Sequence, residues 1–137
     1  MLALLVAGCG KEIGRIPLTG EGEGDTKVTV AAGDKLALWT SLDVEWTGNW
    51  NARYAVELRD ASSAAVATAT CDPLVAPTKT MAVETHLGAH HKASYQGKMS
   101  CELVAPSAGT FTVHAKLTYT AKPVDLKLKD VSLVVKK

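Results

Sequence analysis

The chain has 137 residues, 47% of them apolar, with 15 basic and 14 acidic side chains and a formal net charge of +1. That length and apolar content suit one domain with its own core and exclude a disordered chain. The near balance of charge argues against a nucleic-acid binder, which needs a basic face.

Met1 to Leu5 is apolar, and Val6, Ala7 and Gly8 set three small residues directly before Cys9. This resembles the lipobox of bacterial lipoproteins. The resemblance implies that diacylglycerol is attached to the Cys9 thiol and that a peptidase removes residues 1–8. No Lys or Arg precedes Lys11, and only eight residues precede Cys9. A secretory signal has a basic front and an apolar stretch of about 7–15 residues, so residues 1–8 read as the remnant of a signal peptide. The alternative is an N-terminal strand with a free thiol. The run is too short for a transmembrane helix, which needs about 20 apolar residues. Multiple acyl chains hold a protein firmly at a bilayer, where one alone is marginal. Gly10, not Asp, follows the cysteine, and in bacteria with two membranes this implies the outer membrane, facing the periplasm or the cell surface. Beyond that anchor, no polybasic segment points to further lipid binding.

Three cysteines are an odd number for an exported protein. With Cys9 taken by lipid, as the resemblance implies, Cys71 and Cys101 are left to pair in an oxidising compartment. Two separate buried thiols are the other reading.

After Cys9, the stretch from Lys11 to Thr19 suits a short edge strand, because Pro17 lacks the donor that a central strand needs. Gly20 to Asp25 alternates glycine with acidic residues and reads as a flexible tether, so that residues 9–25 carry the anchor and residues 26–137 the folded domain. Val28 and Val30 share one face. From Lys35 to Trp46 the alternation is long: Leu36, Leu38, Leu42, Val44 and Trp46 point one way, Ser41, Asp43 and Glu45 the other. Trp39 falls on the polar side. Thr47 to Asn51 reads as a loop. Tyr54, Val56 and Leu58 define the next inward face, and the β-branched Val66, Thr68 and Thr70 a weaker strand before Cys71.

Pro73 and Pro77 place a loop before the alternating Met81, Val83, Thr85 and Leu87. Gly88 to Gln96 reads as polar loop. Met99, Cys101 and Leu103 then face inward, as do Phe111, Val113, Ala115, Leu117 and Tyr119 in the clearest alternation of the chain. Leu126 and Leu128 hold one phase, while Val131, Leu133 and Val135 hold the other, which predicts a bulge near Lys129 and Asp130. Eight or nine short strands without an amphipathic helix predict an all-β fold, a single antiparallel β-sandwich of jelly-roll or immunoglobulin-like order.

Two stretches, Val28-Thr-Val-Ala-Ala-Gly-Asp34 and Ala105-Pro-Ser-Ala-Gly-Thr-Phe-Thr-Val113, resemble the bacterial pre-peptidase C-terminal domain. That family is a jelly-roll sandwich often appended to secreted proteases. Its aspartate-rich middle strand has no counterpart in Tyr54 to Asp60, so the resemblance implies a fold and neither a calcium site nor a protease.

Chemistry-bearing residues are sparse. His86, His90 and His91 lie within six residues, and on a helix His86 and His90 would share a face and could hold a metal, but Gly88 breaks the segment, and solvated loop histidines are expected, with His114 apart on its own strand. Asp43 and Glu45 lie on one strand face, about 7 Å apart, and are expected to solvate that face. No nucleophile motif such as Gly-x-Ser-x-Gly occurs. Neither an enzyme nor a cofactor is therefore expected. Trp46 is expected in the core. Asn49, Trp50 and Asn51 form the leading candidate surface: an exposed Trp50 would stack on a sugar ring or anchor a protein partner. The expectation is a lipid-anchored, non-catalytic envelope module that binds another envelope or surface protein, with a carbohydrate-binding module as the alternative.

Overall fold

The computed structural model describes residues 10–137; Cys9 and the signal-like residues 1–8 lie outside the described residues. Nine strands follow one another: β1 (Glu12–Pro17), β2 (Gly22–Val30), β3 (Lys35–Thr47), β4 (Asn51–Arg59), β5 (Ala65–Cys71), β6 (Thr78–Leu87), β7 (His90–Val104), β8 (Gly109–Ala121) and β9 (Asp125–Lys136). A five-stranded sheet, in the order β1-β9-β3-β7-β6, packs on a four-stranded sheet in the order β2-β8-β4-β5.

Every pairing is antiparallel. The pairs nest about the β4·β5 hairpin: β3 with β7, β2 with β8, and β1 with β9. A long hairpin rolled into two layers in this way is a jelly roll. Strand β6 is added at the outer edge beside β7.

The inward faces follow the period of two that side chains take along a strand. Leu36, Leu38, Leu42 and Val44 from β3 meet Tyr54, Val56 and Leu58 from β4 in one core. The predicted bulge is present in β9. Asp43 pairs with Asp130 and Val44 with Leu128, so Lys129 is the extra residue. It returns Leu128 and Val131 to the same inward side, and without it one half of β9 would face water.

Cys71 at the end of β5 is bonded to Cys101 of β7, across the two sheets, with a Cα–Cα distance of 5.7 Å. Tyr54, opposite Cys71 in β4, is fully buried. Burial pushes its phenol well above the ordinary tyrosine range, and the nearby Thr40 hydroxyl offsets this only in part. Neither hydroxyl meets hydrogen-bond geometry with a partner among the described residues.

The structure corrects two expectations about elements. Gly22–Asp25, expected within a tether, belongs to β2, and the sheets reach back to Glu12 in β1. The alternation explains it. A Cβ on Gly24 would stand 2.5 Å from Ile16 Cγ2, so this glycine lets β1 approach β2 closely. Glu23 and Asp25 point out and hold both ring nitrogens of His114 on β8. Next, the expected polar loop over Gly88–Gln96 is a tight turn at Gly88, with φ +63°, followed by β7 from His90. Trp39 lies on the outward face of β3, as its place on the polar side predicts, and is only 3% exposed.

Candidate functional site

The end of the five-stranded sheet where β3 finishes collects most of the residues singled out in the sequence. Gly48, with φ +91°, turns the chain between β3 and β4, a backbone state that an L side chain resists. Its amide donates to the Ala89 carbonyl at 2.9 Å, and the Val124 amide donates to the Thr47 carbonyl at 3.0 Å. Three connections are thus tied together at this end.

Trp50 is not at the surface of these loops. It is 5% exposed and belongs to the core, which corrects the expectation of an exposed Trp50. The reason is aromatic packing across the layers. Trp50 meets Trp46 edge-on with ring centres 5.2 Å apart, and Tyr119 of β8 likewise at 5.6 Å. Trp46, expected in the core, is only partly buried there. Its face stacks on His91 at 4.9 Å, and His91 stacks in turn on His86 at 5.9 Å. Asn49 and Asn51 remain exposed on either side of the buried indole.

The histidines take structural places. His86 and His91 face each other across β6 and β7. His90 Nε2 meets Glu45 Oε2 at 2.8 Å, and this hydrogen bond holds the Glu45 carboxyl below its usual range. No group of three metal-ligating side chains occurs among the described residues.

Asp43 and Glu45 line the outer face with a carboxylate that the sequence did not single out. Asp130 of β9 stands opposite Asp43. Ser41 and Ser132 donate to Asp130 at 2.6 and 2.7 Å, one to each carboxylate oxygen. Only the cross-strand register, which spans 87 positions, brings the two aspartates together.

The exposed apolar residues are the more telling feature. Met81, Val83 and Leu87 stand out along β6, with Leu87 84% exposed. Val124, 90% exposed, projects from the same end of the sheet as Leu87. β6 is an edge strand, and its pairing with β7 is interrupted at Met81 and Ala82. Its outer backbone groups and apolar side chains together suit a partner strand or an apolar partner surface. Beside Met81, Ser41, Asp43, Ser94, Gln96 and Asp130 form an open polar groove of about 230 Å³. The groove thus sets polar side chains beside the exposed apolar row of β6.

Comparison with family models, with curated proteins and with solved structures finds no match for the chain.

Proposed function

We propose that the chain is a lipid-anchored, non-catalytic protein of the bacterial cell envelope whose sandwich holds another envelope or surface protein along the β6 edge. The observation that carries this reading is the exposed row Met81, Val83 and Leu87 on an edge strand. Exposed edges invite pairing, and natural proteins usually blunt them. Here the interruption at Met81 limits free pairing, and apolar side chains supply the contact area. The lipobox residues Val6 to Cys9 support the anchor, and the Cys71–Cys101 disulfide suits an exported, oxidised protein.

The experiment is site-specific photo-crosslinking in intact envelopes, with the probe at Val83 or Leu87 and, as control, at Thr68 on the other sheet. One discrete adduct from the β6 positions alone is expected. Equal labelling from all positions would end the partner reading. Intact-mass analysis of membrane-extracted protein tests the anchor: an unmodified Cys9 with Met1 retained removes it.

The carbohydrate alternative loses its stacking platform with Trp50 buried. It keeps Asn49, Asn51 and the partly buried Trp46. A saturable tryptophan-fluorescence change with envelope polysaccharide would restore it.

A further inference from the structure

The opposite end of the same sheet gathers lysines that are scattered in the sequence. Lys35 opens β3, Lys98 lies on β7 and Lys136 closes β9. Lys11 and Lys137 are joined by two backbone hydrogen bonds, of 3.0 and 2.9 Å. Trp39 is the floor between them. Its cross-strand partners are Lys98 on one side and Val134 on the other. Lys136 Nζ stands 4.0 Å above its ring. A lysine stem can lie along apolar surface while its ammonium stays in water, and the ring face attracts the cation. That arrangement hides an indole on an outward face and ranks ammonium groups around it. Gly10, the residue after Cys9, completes this shallow cleft.

Carboxylates nearby are fewer. Asp34 accepts from the Ala31 amide and pairs with Lys137 at 3.2 Å. Glu12 is engaged by Arg15, also at 3.2 Å. Glu102 lies opposite Ala37. Lys35, Lys98 and Lys136 form no ion pair among the described residues. Farther along the outer face, by contrast, Lys92, Lys127 and Lys129 line a cleft together with Asp43 and Glu45.

We propose that the lysine cluster around Trp39 is a docking surface for the headgroups of an anionic bilayer, set beside the lipid that Cys9 would carry. It rests on the lipid-anchor reading above and adds a second, electrostatic contact to it. Charge complementarity favours a bilayer over a single small anion, because the ammonium groups spread across an open face and do not converge on one point. The anchor would hold them within reach of the surface, where each lysine strengthens partition by about fivefold. Tethering raises the effective concentration, so weak attraction suffices. Trp39 and Thr47 are about 26 Å apart along β3, so the lysine cluster and the Leu87 end are separate stretches of the sheet.

The test uses the full chain carrying Cys9→Ala, so that no lipid contributes. It is sedimented with vesicles of phosphatidylcholine, or of phosphatidylcholine mixed with phosphatidylglycerol, at low and high salt. Binding to the mixed vesicles alone, weakened by salt, is expected. Lys98→Gln with Lys136→Gln should lower that partition about 25-fold, and Lys98→Arg with Lys136→Arg should keep it. Circular dichroism verifies the fold of each variant. Equal binding to both vesicles, no binding, or an unaffected glutamine pair overturns the proposal. So does inorganic phosphate binding that the glutamine pair abolishes while mixed vesicles stay unbound. The mass of native Cys9 is read separately, so the failure of the anchor and the failure of the docking surface remain distinct.

Discussion

Where β3 begins, the sandwich is closed by a disulfide and covered outside by lysines; where β3 ends, it is closed by aromatic rings and flanked by exposed apolar side chains. Cys101 lies in β7 between the residues that pair with Ala37 and Trp39, so the disulfide meets the five-stranded sheet at its lysine end. Trp46, Trp50 and Tyr119 fill the other end without any covalent link. One amphipathic strand thus carries two unlike surfaces on a common core. Chemistry outside the core can differ sharply from end to end because the inward alternation stays the same throughout.

The contrast can be broken at the aromatic end first. Trp50→Ala removes the ring between Trp46 and Tyr119 and should cost about 4 kcal/mol, as large truncations in cores do. Urea unfolding measures it; a loss below about 1 kcal/mol would mean that the rings do not hold that end. Cutting the other closure comes next. Cys71→Ala with Cys101→Ala opens a loop with a sequence separation of 30, and chain entropy gives about 3.5 kcal/mol for it. The same urea experiment reads it.

Tyr54→Phe sharpens the comparison near the disulfide. It deletes a buried hydroxyl that lacks a partner, so stability at neutral pH should hold or rise by up to about 1 kcal/mol. The phenol's folded pKa is raised above its ordinary value of 10.0. Its contribution is therefore fully present below about pH 10 and lost as pH rises further. Tyr95 and Tyr119 are shifted in the same direction and for the same reason, burial. Melting curves in the alkaline range should fall less steeply for Tyr54→Phe than for the parent; parallel curves would assign the loss to the other tyrosines.

The smallest effect belongs to Glu45→Gln at the aromatic end. The hydrogen bond from His90 lowers the Glu45 pKa below its ordinary 4.5. That contribution is present above pH 4.5 and disappears as pH falls through the folded value. The variant should show a shallower acid decline in thermal midpoint, and an unchanged decline would show that the exposed pair carries no stability.

Period-two patterning made the all-β sandwich legible, together with the inward faces of β3, β4 and β8 and the bulge in β9. Those are local facts, because a side chain's face depends on its own strand. The same alternation was present in Glu21-Gly22-Glu23-Gly24-Asp25, but glycine's flexibility masked a strand whose Gly24 serves close packing against Ile16. Trp39 on a polar face was the one signal of the lysine cluster available in the sequence. The rest depended on which strands become neighbours. Jelly-roll nesting brings Lys35, Lys98 and Lys136 around Trp39, and sets Tyr119 over Trp50. Pairing between strands so far apart in the chain follows from how two layers close on one core, a global packing solution that no local pattern encodes.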